Sequence, residues 1–436
     1  MTMDWKAFKA CLFESARAKL DALLSEGIEP LYAAVFFASY REQEAIISLP
    51  SLATNNLAML DQDHPKHQQR ADEGFWSLKW NPSNWHWSWD PDDYGGENLA
   101  SYEAMLETFA NRGTVAQWDK AEEQFITTVA QVAVALYKHF AKDPRVNKDF
   151  VVFFHDESRG PELARKCMSP RLFLHHFPEQ DATQQERLRV AALPLSEQAA
   201  YYVQRLGCYE NIDGEEAEKW LIACGAPAIP ALLGSLHKKN DAWKVAMILG
   251  LIGEKNAEVI TALRDLLLTA KDISTSRWCA SALGYLEDID WLLAQCHTPK
   301  ALDLAVEGCC ANFSAFRNRS AKTLCLNYTL LERLFGLYPQ SHALAEETLR
   351  PGSSYCDIGA ADIPEALRGL ASPHAVIRRH ATCVLNNRSL GESLNSATIA
   401  HILAALAPLA GQDSDETVRY LAGLTLKSMK KWRITR

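Results

Sequence analysis

Apolar positions recur at intervals of three and four from the start of the chain. Trp5, Phe8, Leu12, Ala16, Leu20 and Leu23 share one face, predicting an amphipathic helix over residues 4–25, with Asp4 as N-cap and Gly27 as its stop. The period then changes. Leu31–Tyr40 is aromatic and β-branched and reads as a buried strand. After a charged turn, Arg41–Glu44, a second strand is expected at Ala45–Leu49, ended by Pro50. A short helix from Ser51 to Leu60, capped by Ser51 or Thr54, and a polar loop, Asp61–Glu73, follow.

Gly74–Gly96 has the most unusual composition. It holds Trp76, Trp80, Trp85, Trp87 and Trp89, five of the twelve tryptophans. Phe75–Trp80 alternates as a strand would, and Asn81-Pro82-Ser83-Asn84 reads as a turn. In the extended segment after it, Trp85, Trp87 and Trp89 fall on one side, with His86 and Ser88 on the other. Helices are expected over Asn98–Asn111 and Val115–Ala141, a strand at Phe150–Phe154, and helical turns at Glu162–Cys167 and Pro170–His176. This mixture predicts an α+β domain over residues 1–180, its sheet mostly antiparallel with flanking helices.

Residues 181–215 contain two helical stretches, Leu188–Leu193 and Ser196–Leu206, and no Gly/Ser or Pro-rich spacer. They form a packed helical connector. Beyond it, residues 216–436 become helical and repetitive. Gly225–Leu236 pairs with Asp241–Gly253, and Ala257–Leu268 with Ser274–Leu286. Leu249-Gly250 and Leu283-Gly284 stand 34 residues apart. Asp362–Leu370 pairs with Ala375–Leu385, and Thr398–Leu409 with Glu416–Met429. Pro299–Phe313 and Leu324–Leu337 are candidates for degenerate repeats between them, interrupted at Gly308-Cys309-Cys310 and Pro351-Gly352-Ser353. A small-residue helix after a basic position recurs, at Lys244, Arg277, Arg378 and Arg419. On these residues the second part resembles HEAT repeats of the short bacterial type, also found in phycobilin lyase-like proteins. The resemblance implies an all-α solenoid, each pair burying its face against its neighbours. The four basic positions then mark a solenoid face or bond neighbouring turns.

The first part carries a resemblance of its own. Leu31–Ser39, Pro50–Thr54, Ser77–Trp87, Phe150–Ser158 and Ser169–Glu179 look like an uncharacterised bacterial domain family. Its hallmark, "lrWsPsdW", is matched by Leu78, Trp80, Pro82, Ser83 and Trp85. Members occur near polymorphic toxins, which implies an immunity role. The resemblance brings no catalytic residue.

Charge narrows the partner. Of the formal net charge of −9, residues 1–180 carry 18 Lys+Arg against 26 Asp+Glu, a net of −8. That argues against nucleic acid and anionic membranes, which need a positive surface. It suits a basic protein, although solubility alone accounts for it equally. The eleven cysteines are scattered and lack any C-x-x-C, as expected of reduced, buried thiols in a cytoplasmic protein. The first twenty residues do not read as a signal peptide, and no uncharged apolar run reaches the roughly 18 residues of a membrane span.

Candidate chemistry is thin. His155-Asp156-Glu157 follows a strand, where a polar turn also fits. Cys167 with His175 and His176 has nucleophile and base types, but nothing in the sequence aligns them. Asp90-Pro91-Asp92-Asp93-Tyr94-Gly95 departs from a calcium loop at Tyr94 and lacks the terminal glutamate. There is no phosphate loop, H-E-x-x-H, G-x-S-x-G or zinc quartet. The basic end, Lys427, Lys430, Lys431, Arg433 and Arg436, reads as a solvated helix terminus. The tryptophans serve as core, surface or both.

The resulting expectation is a non-enzymatic protein-binding protein, a bacterial immunity protein that neutralises a toxin by contact, with no cofactor, metal or catalytic residue. Its partner surface would be Trp85, Trp87, Trp89, Asp90, Asp92, Asp93 and Glu97, opposite a basic toxin domain. A solenoid face at Lys244, Arg277, Arg378 and Arg419 would be a second surface. The alternatives are a secretion or assembly adaptor and, from the repeats alone, a HEAT-type DNA-repair glycosylase or lyase-like enzyme.

Overall fold

The computed structural model describes residues 3–43, 46–64, 74–157, 159–209, 212–237, 241–322, 324–350 and 354–434, with side chains to 431. The expected features at Glu44–Ala45, residues 65–73 and Pro351–Ser353, and the side chains of Arg433 and Arg436, lie outside the described residues. The chain divides into two compact units between Gln184 and Gln185.

The first unit begins with α1 (Trp5–Leu24), whose Asp4 side chain accepts from the backbone N–H groups of Lys6 and Ala7 at 3.1 and 3.0 Å. Of the residues that the three/four spacing selected, Phe8, Leu12, Ala16, Leu20 and Leu23 are buried and Trp5 is half-buried; Leu24 is buried as well. The sheet has four strands, β1 (Leu31–Phe37), β2 (Ser51–Asn56), β3 (Trp87–Trp89) and β4 (Val146–Phe154), in the order β3-β2-β1-β4. β2 pairs antiparallel with both β1 and β3, whereas β1 and β4 are parallel. The sheet is therefore mixed. β1 is buried at every residue, as suits a central strand covered on both faces.

Three expected elements differ. The second strand is not Ala45–Leu49, where Ile47 makes only an isolated bridge to Arg41, but Ser51–Asn56, which had read as a helix. Its small polar residues are buried by pairing. The Thr54 hydroxyl donates to the Ala33 carbonyl at 2.6 Å, and that of Ser51 to Asp90 at 2.8 Å. Sheet context overrode local preference. The helix starts only at α2 (Leu57–Asp63), capped by Asn56. Phe75–Trp80 is a turn and a 3₁₀ helix, Leu78–Trp80, rather than a strand. The alternation there reflects ring packing: Phe75 lies against Phe177 and Trp80 against Tyr32.

α3 (Pro91–Ala110) follows β3 directly, with a kink at Gly96 (φ 54°, ψ −150°), a backbone shape that favours glycine. α4 (Val115–Phe140) opens with reciprocal bonds between Thr114 and Gln117 and buries Trp118, Phe125, Val129, Val132, Leu136 and Phe140. α5 (Gly160–Cys167) and α6 (Pro170–His176) follow β4, and the division between units falls inside α7 (Glu179–Ala191).

Among its described residues the second unit consists of helices, with one isolated bridge between Ser314 and Tyr355: α8 (Leu195–Arg205), α9 (Gly214–Cys224), α10 (Ile229–Leu233), α11 (Ala242–Ile252), α12 (Ala257–Thr269), α13 (Ile273–Tyr285), α14 (Ile289–Ala294), α15 (Pro299–Ala311), α16 (Thr329–Leu337), α17 (Ser341–Thr348), α18 (Ile363–Leu370), α19 (Ala375–Val384), α20 (Arg388–Ser393), α21 (Ser396–Gln412) and α22 (Glu416–Ile434). α8 belongs to this core, with Tyr202 stacked on Trp220 at 4.3 Å. α11 packs on α13, and α13 on α15. The contact is close because it is made by small residues. A Cβ on Gly284 would lie 2.1 Å from the Gly308 carbonyl oxygen, and one on Gly250 would lie 2.7 Å from Ala282. Between α15 and α16 the chain leaves the pairing pattern and is held by side chains. Buried Arg317 donates to the carbonyls of Asn312 and Leu324 and lies 3.6 Å from Asp362. No helix among the described residues is long and apolar enough to cross a membrane.

Candidate functional site

The tryptophan-rich stretch is built outward from Tyr32 on β1. The Tyr32 hydroxyl donates to the Lys79 carbonyl at 2.6 Å, and the Trp85 indole N–H donates to the same oxygen at 3.1 Å. Trp80 and Trp85 both meet the Tyr32 ring edge-on at 5.6 Å. Between them, Pro82 starts a 3₁₀ turn, and the Asn81 side chain accepts from the Ser83 N–H at 3.2 Å. Trp85 is 6% exposed and belongs to the core. It therefore leaves the expected partner surface, because its ring and its one polar atom are already engaged.

Trp87 and Trp89 are placed differently. They sit on the edge strand β3, opposite Thr54 and Leu52, with Ser88 opposite Ala53. Both are half-buried, packed against the core on one side, while His86 and Ser88 are exposed. His86 donates to Asp63 at 2.9 Å. The predicted alternation is thus present, with its inner face only partly covered.

The carboxylates follow within one helical turn. Asp90 accepts from Ser51, and its own N–H donates to Asp93 at 3.4 Å, so both help to start α3. The calcium-like run is therefore a helix start. Among the described residues, no group of three or more His, Cys, Asp or Glu side chains could hold a metal. Asp92 and Glu97 are exposed and have no side-chain partner among the described residues. Lys19 donates to the Asp93 carbonyl at 3.2 Å and lies 5.1 Å over the Trp89 ring. An ammonium is thus already seated between this ring and this helix start. The arrangement offers aromatic faces and negative charge.

A second cluster lies where the parallel strands β1 and β4 end, a usual location for ligand sites in open sheets. It contains a residue that sequence reading left in a charged turn. The side chain of Arg41, only 7% exposed, pairs with Asp156, itself 8% exposed. It also donates to Glu122 at 3.0 Å and to the Ser39 carbonyl at 2.8 Å. Asp156 in addition accepts from the Arg159 N–H at 2.7 Å. His155 stacks on Phe75 at 5.3 Å and meets Trp76 edge-on at 5.7 Å; burial holds its pKa at about 4, so the ring is neutral near pH 7. No sequence motif signalled Arg41.

The structure does not assemble the Cys167–His pair. Cys167 donates to the Leu163 carbonyl at 3.2 Å, and burial pushes its thiol up to about 12. His175 faces Asp149 at 3.3 Å, while His176 packs on Trp80, its pKa lowered to about 4 by burial.

The four basic positions of the helical unit make local bonds. Lys244 caps the Leu206 carbonyl at 2.6 Å. Arg378 binds Asp413 bidentately at 2.7 and 2.8 Å, and Arg419 donates to the Asp413 carbonyl at 2.6 Å. Arg277 is half-exposed, 3.5 Å from Asp303 and 3.9 Å from Glu307. Only Arg277 offers much of its charge outward.

No family model matches the chain, and no curated protein matches it. Two crystal structures titled as engineered proteins of a structural genomics consortium align with it, each at 16% identity over 54% of this chain. The alignments cover 97% and 91% of those proteins, with TM-scores of 0.19 and 0.20, values too low to carry an argument.

Proposed function

We propose that this chain is a non-enzymatic protein-binding protein, an immunity protein that neutralises a toxin by direct contact at the β3 edge. The observation that carries the reading is the pair of half-buried tryptophans, Trp87 and Trp89, on a sheet edge beside the unpartnered carboxylates Asp92 and Glu97. Tryptophan anchors contribute most where partner binding finishes their burial, and adjacent carboxylates favour a basic partner and speed its approach. The buried pairing of Asp156 with Arg41 and the protonated Cys167 support binding over catalysis. The helical unit is proposed to be a HEAT-like solenoid, a reading supported by the α12–α13, α18–α19 and α21–α22 pairings.

Co-expression of the full chain with the product of a neighbouring toxin gene, followed by affinity capture and a growth assay, tests the proposal. Retention of the toxin and rescue of growth are expected, with both lost in the Trp87→Ala/Asp92→Lys variant. Rescue without a stable complex, or a complex indifferent to both substitutions, rejects this surface.

A further inference from the structure

The parallel strands β1 and β4 end side by side, and several unusual features meet at their carboxyl ends. Ala38, the residue after β1, has a φ of 54°, in the left-handed region that side chains other than glycine rarely adopt. Such backbone outliers gather at ligand sites, where the surrounding structure holds the strain. Tyr40, two residues on, is 59% exposed, and Trp76, packed against the end of β4, is 58% exposed. No other aromatic side chain among the described residues of the sheet unit is so open.

Trp76 is exposed but not loose. Its ring meets Phe75 edge-on at 5.0 Å and His155 at 5.7 Å, and a Cβ on Gly160 would lie 2.7 Å from it. A ring already held in place needs little further ordering to receive a ligand. His155 supplies the polar group beside it. The residue is 7% exposed and stacks on Phe75, yet neither ring nitrogen has a hydrogen-bond partner among the described residues. Fully enclosed nitrogens without a partner occur nearby, on Trp80 and His176, and those of His155 are not among them. The imidazole therefore turns an unbonded polar edge towards the opening, where a bonded one would be more stable.

The chemistry of that edge narrows the ligand. A neutral imidazole presents one donor and one acceptor. A carboxylate or phosphate only accepts and an ammonium only donates, whereas a hydroxyl does both. Glu157, two residues further, is exposed and has no side-chain partner among the described residues. It can accept from hydroxyl groups and it repels anions. We propose that the ends of β1 and β4 bind an uncharged sugar, whose C–H face lies on the Trp76 ring and whose hydroxyl bonds the His155 imidazole. Apolar faces with a few placed polar groups are what such a ligand requires. β3 lies at the opposite edge of the sheet from β4, so the inference stands or falls independently of the proposed immunity role.

The test is calorimetry on the full chain with maltose, cellobiose and N,N′-diacetylchitobiose, and with uridine and lysine amide as controls. At least one disaccharide should bind with a Kd on the order of 1 mM or tighter. Trp76→Ala and His155→Phe should each weaken it about tenfold, with circular dichroism unchanged. Phenylalanine keeps the stacking on Phe75 and removes only the nitrogens. If His155→Phe loses its native spectrum, Trp76→Ala, at an exposed position, decides alone. Absence of disaccharide binding up to about 10 mM overturns the proposal. So does binding that a folded variant leaves unchanged. Binding of uridine alone overturns it in favour of a flat base, and binding of lysine amide alone in favour of a cation.

Discussion

The sheet unit and the helical unit fill their interiors with different kinds of side chain. Ten of the twelve largest fully buried side chains, from Phe8 to Phe177, lie in the sheet unit, where interlocking rings fill the space between helices and sheet. The helical unit brings backbones together instead, at Gly250, Gly284 and Gly308. Rings must be placed by a scaffold that sets the distance between layers, so the sheet unit depends on strand register. Small residues allow the same close contact to recur wherever the spacing recurs. Both units nevertheless bury an Arg–Asp pair at a junction: Arg41–Asp156 at the parallel strand ends, and Arg378–Asp413 before α22.

That shared device gives the largest expected effect. The Glu122→Ala/Asp156→Ala double variant and Asp413→Ala should each cost about 3–5 kcal/mol, because each leaves a buried guanidinium without a carboxylate. Urea denaturation measures both. A cost below about 1 kcal/mol in one of them, the range of exposed pairs, would break the equivalence.

Acid should act on both units through buried neutral histidines. His380 accepts from the Tyr328 hydroxyl at 2.8 Å and donates to the Phe313 carbonyl at 3.0 Å, and burial lowers its pKa from 6.5 to about 4. In that window the unfolded chain binds a proton that the folded chain refuses. Stability is therefore lost as pH falls from 6.5 towards 4, on the order of 3 kcal/mol from this residue. His155 contributes in the same direction in the sheet unit. His380→Gln should flatten the slope of unfolding free energy against pH over this range; an unchanged slope would remove His380 from the account.

Gly284→Ala tests the close contact. The new methyl meets a carbonyl oxygen rather than a flexible side chain, and a loss of about 1–3 kcal/mol is expected. Gly336→Ala, in α16 with nothing near its added Cβ, should be neutral or stabilising by a few tenths of a kcal/mol. Equal effects in thermal melts would mean that the contact does not limit packing.

The smallest effect on stability is expected at the partner edge. Trp87→Ala should cost little beside Trp85→Ala, for which about 3–5 kcal/mol is expected as for other buried aromatics. Similar losses in denaturant titrations would return Trp87 to the core.

Periodicity determined much of this protein. The residues of α1 and α4 that face the core, the α+β character of the first part and the helical character of the second follow from apolar spacing. Spacing works because burial on a helix face needs only the residues of that face. The alternation of Trp85, Trp87 and Trp89 was legible for the same reason. Tertiary structure alone decided the rest. Ser51–Asn56 became a strand because neighbouring strands supply partners for its polar groups. Trp85 went inside and Trp87 stayed half out because Tyr32 reaches the first and the sheet ends at the second. Arg41 met Asp156 because two parallel strands end side by side. Pairings between residues 115 positions apart, such as Arg41 and Asp156, leave no periodic trace in a sequence, since they depend on where the backbone brings distant segments together.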